Sequence, residues 1–161
     1  MNYMIALILL PLLAATSTVS AHGFTHGDIT ITHPFLRSTP PAATNGAGYM
    51  VVTNMGSDPD TLLAIETPAA EEVQFHRTVI TDGIASMQPV EGGFEIPAGG
   101  EVVVGDKGTH LMLVNVTQPI REGEIIEATL TFEKAGELEM YFEVEPLGKV
   151  IDQHAGGGHG E

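Results

Sequence analysis

Two histidines and two methionines are the residues of this chain whose types and spacing point most directly to chemistry. His76, Met87, His110 and Met112 punctuate the stretch HRTVITDGIASMQPVEGGFEIPAGGEVVVGDKGTHLM. Ten residues lie between His76 and Met87, twenty-two between Met87 and His110, and Leu111 alone between His110 and Met112. Successive side chains of a strand point to opposite faces, so His110 and Met112 share a face if this segment is extended. Two imidazoles and two thioethers form a soft, uncharged donor set. It suits Cu(I) better than Zn, Mg or Ca, because a thioether sulfur brings no charge to hold a hard dication. Each residue alone has a plainer reading: methionine fills gaps in apolar cores, and a single histidine is commonly a hydrogen-bonding residue. The combination favours a metal. The chain has no cysteine, so the His₂Cys ligand set of a blue-copper redox protein is excluded. Neither a Gly-x-Ser-x-Gly elbow nor an HExxH motif occurs, which leaves a hydrolase without its usual machinery.

The elements that must position these residues read as strands. No apolar stripe of helical period continues for three turns, and short β-rich runs recur between Gly- and Pro-rich turns. Residues 28–35 alternate, with Ile29, Ile31 and His33 on one side. Residues 38–48 are dense in Pro, Gly, Asn and Ala and read as a loop. Strands follow at 49–54 and 61–66, then at 73–78, which carries His76 near its end. Asp82-Gly83 signals a hairpin turn into 84–89, which carries Met87. Brief strands at 94–96 and 101–104 precede 111–116, entered through His110, and residues 125–133 and 137–144 form a closing hairpin. The expected architecture is all-β, a single domain built as a cupredoxin-like or immunoglobulin-like β-sandwich or barrel.

Residues 1–21 carry no charged side chain, and 5–15 are apolar but for their embedded Pro11. With Val19-Ser20-Ala21 as a small-residue cleavage site, this segment reads as a secretory signal peptide, although its first residues lack Lys or Arg. The apolar run falls short of the roughly 20 residues a spanning helix needs. Cleavage leaves a copper-binding β domain over 22–150 and a flexible His- and Gly-rich tail over 151–161. His22, His26, His154 and His159 offer nitrogen without sulfur, a candidate secondary site for Cu(II) formed by the termini. Six Lys and Arg face 21 Asp and Glu, for a net charge of −15. That sign argues against nucleic acid and anionic membrane surfaces, and it favours a soluble mature form.

The segments around the four residues resemble the periplasmic copper chaperones of the PCu(A)C family. That family's motif is a His, a Met about ten residues on, and a His-x-Met after about twenty-two more, which here falls on His76, Met87, His110 and Met112. NGAGYMVVTN at 45–54, PVEGGFEIPAGG at 89–100 and HLML at 110–113 are also similar, and the resemblance spans about 29–145. There are departures: Arg77 replaces an optional Met after the first His, and Ile80 and Ala85 lie where further methionines are often found. The resemblance implies a non-enzymatic periplasmic carrier that delivers Cu(I) to the binuclear copper centre of a haem-copper (cytochrome c) oxidase. Its partner would be an oxidase copper-site subunit or another copper chaperone. A protein that sequesters copper for tolerance would share the site, and a redox protein is the weaker alternative.

Overall fold

The computed structural model describes residues 23–105 and 108–148. The expected signal peptide, the tail, and with them His22, His154 and His159 lie outside the described residues. The described chain forms strands β1 (Gly23–His26), β2 (Ile29–Arg37), β3 (Asn45–Asn54), β4 (Asp60–Glu66), β5 (Ala70–Thr81) and β6 (Ile84–Pro89). They are followed by β7 (Phe94–Ile96), β8 (Glu101–Val104), β9 (Thr109–Val116), β10 (Ile125–Phe132) and β11 (Gly136–Glu145). The all-β expectation holds.

The strands hydrogen bond in the order β6-β5-β9-β8-β3-β2-β11-β10-β4-β7, with β1 added to β2 and β9 also paired to β3. Neighbours are antiparallel except β2 with β11 and the single bridge between β8 and β9. This long ladder folds over one core. Phe75 of β5, near one end of the order, meets Phe94 of β7, at the other, with ring centroids 4.6 Å apart. The fold line runs through β2: β3 pairs with it at 29–32 and again at 35–36, while β1 takes its first four residues and β11 its last three. Strands that pass between packed layers usually do so at a bulge, and here the β2–β3 register shifts between Thr32 and Phe35. His33 sits at that shift with φ of 52° and an exposed side chain. The expected alternation therefore holds for the buried Ile29 and Ile31 and fails at His33, because the bulge takes that residue out of phase and turns Pro34 inward.

The core is aliphatic and aromatic. Ile31, Leu36, Met50, Val52, Leu111, Leu113, Leu130 and Phe142 are all at most 2% exposed, each worth about 1.5–3 kcal/mol of apolar burial. Two local expectations need correction, and β1 adds a strand. Residues 45–48 belong to β3 rather than to a loop, because β9 runs antiparallel alongside and pairs with them. Gly48 makes this possible: a Cβ there would lie 2.9 Å from Leu36 Cδ2 and 3.2 Å from Leu111 Cδ1. The segment after His22 is a strand, turned back onto β2 through Gly27 with φ of 58°. Strand β5 is longer than expected, so His76 lies well inside it.

Candidate metal centre

The site is built on three adjacent strands, β6, β5 and β9. Alternation sends Phe75 and Leu111 into the core, at 6% and 0% exposure. Their neighbours Gln74, His76, His110 and Met112 therefore stand on the outer face, all half-buried. Antiparallel register places His76 opposite His110 and Gln74 opposite Met112. On the other side of β5, Met87 lies opposite Thr78. Directly opposed residues share a face of the sheet, and Thr78 is two residues from His76. His76, Met87, His110 and Met112 thus project from one face over three consecutive rungs. The structure brings all four onto one face although the β5–β6 turn and the short strands β6, β7 and β8 lie between the first and the last.

The two imidazole rings have centroids 5.7 Å apart at an interplanar angle of 62°. His76 Nε2 lies 3.0 Å from Gln74 Oε1. His76 Nδ1 is buried and has no hydrogen-bond partner. An unpartnered buried nitrogen is costly unless something fills the position, and an unprotonated imidazole nitrogen is a good ligand for a soft cation. Met87 is 67% exposed on an edge strand whose six residues are all exposed. One thioether is thus open to solvent beside a half-buried imidazole pair. Ala47 lies opposite Met112 on the far side of β9, and its small side chain leaves the methionine room. Two residues further along β3, Tyr49 stacks on Phe35 with centroids 4.8 Å apart. The Arg37 guanidinium covers both rings and is held by Glu145 at 3.7 Å and the Pro146 carbonyl at 3.1 Å. Among the described residues no three His, Cys, Asp or Glu side chains converge, so no carboxylate-rich cage for a hard dication accompanies the soft donors.

A model of the family described as "Putative lipoprotein LpqE-like" matches residues 29–144. The fold also matches the copper-bound PCuAC domain from PmoF2, with a TM-score of 0.67 and 31% identity over 78% of this chain and 98% of that one. The chain belongs to the LpqE-like, PCuAC-type family. The solution structure of the Cu(I) form of DR1885 from Deinococcus radiodurans is a second PCuAC-like match, at TM-score 0.59 and 26% identity, covering 79% of this chain and 83% of that one. A curated relative, "Putative lipoprotein Lxx21020" of Leifsonia xyli subsp. xyli (strain CTCB07), is 35% identical over 86 residues. That match takes in 53% of this chain and 52% of the relative, so the chain spans about half the length of the curated protein it matches. The family match at 29–144 takes in β5, β6 and β9.

Gln74 escaped the sequence reading. The available signal was its position two residues before His76 in a strand, which places it on the same face; its pairing with Met112 depends on tertiary register. Of the terminal histidines, only His26 is described. Its Nε2 lies 3.1 Å from the Ala135 carbonyl, tying β1 to the β10–β11 turn.

Proposed function

We propose that this chain is an exported, non-enzymatic Cu(I) carrier. Its metal ligands are His76, Met87, His110 and Met112, and it hands copper to an acceptor protein. The observation that carries this reading is the clustering of two imidazoles and two thioethers on one outer face of β6, β5 and β9. Two PCuAC-type relatives were solved with copper bound, one as Cu(I), which supports the same cargo here. Neutral ligands hold Cu(I) without adding charge, so the ion can leave by ligand exchange to thiolates or further imidazoles. The exposed Met87 gives an incoming ligand a side from which to attack. The family and relative names both speak of lipoproteins, in keeping with export to the periplasm. The acceptor we favour is the copper centre of a haem-copper oxidase, as the family resemblance implies. A nitrogen-only Cu(II) site from His22, His26, His154 and His159 gains no support from the described residues, since three of the four lie outside them.

Anaerobic Cu(I) titration with X-ray absorption tests the site. One ion per chain with mixed sulfur and nitrogen scattering is expected, and a spectrum of nitrogen and oxygen alone would remove the thioethers from the assignment. Mixing the loaded protein with an apo oxidase copper-site domain separates delivery from sequestration. Transfer supports delivery, and retention against a tighter acceptor supports storage for tolerance.

A further inference from the structure

The hydrogen bond between Gln74 and His76 selects one of the two ring nitrogens. Gln74 Oε1 is an acceptor, so at 3.0 Å from His76 Nε2 it receives a proton held on that nitrogen. A neutral imidazole carries one proton, and Nδ1 is then left with its lone pair. That atom is buried and without a partner. The opposite arrangement, with the Gln74 amide donating to Nε2, would put the proton on Nδ1. A buried N–H would then point at no acceptor of the chain, the costlier of the two defects. A lone pair in the same place is what a soft cation needs.

We propose that Gln74 is a positioning residue that holds His76 as its Nε2–H tautomer, so that His76 binds copper through Nδ1. The inference rests on the reading of His76 as a ligand. Second-layer partners of this kind fix both tautomer and ring orientation, and losing one typically costs 10–100-fold in metal affinity. Gln74 is well placed for this role. It is half-buried on the ligand face, anchored by the inward Phe75 next to it, bonded to His76 and paired in register with Met112, so it neighbours two of the four donors.

Long-range ¹⁵N–¹H correlation spectra of the imidazoles, recorded at mildly alkaline pH on the full-length mature protein, read the tautomer directly. In the copper-free protein His76 Nε2 should show a pyrrole-like shift and Nδ1 a pyridine-like one, and Cu(I) should move the Nδ1 resonance. Gln74→Leu should give mixed tautomers and lower Cu(I) affinity by about tenfold or more, with an unchanged far-UV circular dichroism spectrum. Gln74→Glu, which keeps an acceptor, should restore the single tautomer and the affinity. An Nδ1–H tautomer in the free protein, a copper-induced shift at Nε2, or a Gln74→Leu protein with unaltered tautomer and affinity would each overturn the assignment to Nδ1 while leaving His76 a ligand. Copper that moves neither nitrogen of His76 would overturn both this inference and the ligand set it rests on.

Discussion

At the scale of single residues, the four donors differ in what else they do. Met87 is 67% exposed on the edge strand, so Met87→Ala should change stability by no more than about 0.5 kcal/mol, as for other surface substitutions. Its Cu(I) affinity should nevertheless fall about tenfold or more, since each tenfold corresponds to about 1.4 kcal/mol of lost binding. Urea unfolding and competition titration of one variant check both halves, and a Met87→Ala protein of unchanged affinity would leave that sulfur outside the site. Leu111 is the counterpart. It sits between His110 and Met112 yet points inward at 0% exposure, so Leu111→Ala should cost about 2–5 kcal/mol of stability through the cavity it leaves. Denaturant midpoints measure that loss directly.

At the scale of the element, the β5–β6 hairpin determines whether Met87 reaches the other donors. Its turn places Asp82 at φ of 51° and Gly83 at φ of 79°, the two left-handed positions that let a two-residue connection match the strand twist. Among the described residues β6 pairs only with β5, and it buries none of its residues, so the turn carries much of the specification of register. A one-residue slip would move Met87 to the opposite face. Gly83→Val forces a β-branched residue into the left-handed region, at a cost of about 1–2 kcal/mol. Because that cost falls on an arm outside the core, we expect faster amide exchange over 76–89 and weaker Cu(I) binding with little change in global melting temperature. A global loss of stability equal to the local one would mean that the hairpin is part of the cooperative core.

At the scale of the whole molecule, Asp60 joins β4 to the turn between β10 and β11. It is buried, and its carboxylate accepts the backbone N–H groups of Thr61 at 2.7 Å, Lys134 at 2.9 Å and Ala135 at 2.9 Å. Burial by itself raises the affinity of this carboxyl for a proton. The three backbone donors and the nearby Lys134 charge outweigh that effect, and hold Asp60 below its ordinary value of 3.8. A depressed carboxyl stabilises the fold fully above the unfolded value, and that contribution is lost as pH drops from about 3.8 through the folded value. Acid unfolding followed by circular dichroism should therefore be steeper in the native protein than in Asp60→Asn. Asp60→Ala strands three donors and should cost roughly 1.5–3 kcal/mol at neutral pH. Cu(I) affinity of the folded variant should not change, since Asp60 lies in the β4–β10–β11 layer and the donors stand on β5, β6 and β9.

Much of this was legible in the chain because it is local. Period-two alternation, the Asp82-Gly83 pair and the Gly- and Pro-rich breaks delimit β6, β7 and β8 at the bounds the structure shows, and the donor types alone point to a soft metal. What the sequence could not carry is how distant strands lie against each other. Residues 45–48 look like loop because glycine has no intrinsic preference for a strand; they become strand because β9 pairs with them, and Gly48 leaves room for Leu36 and Leu111. His33 looks inward-facing until the bulge in β2 turns it out. The opposition of His76 to His110 and of Gln74 to Met112 likewise depends on which register buries Phe75 and Leu111 in one core. That register is chosen by packing across the whole sandwich, so the donor types were a property of the sequence and their convergence a property of the fold.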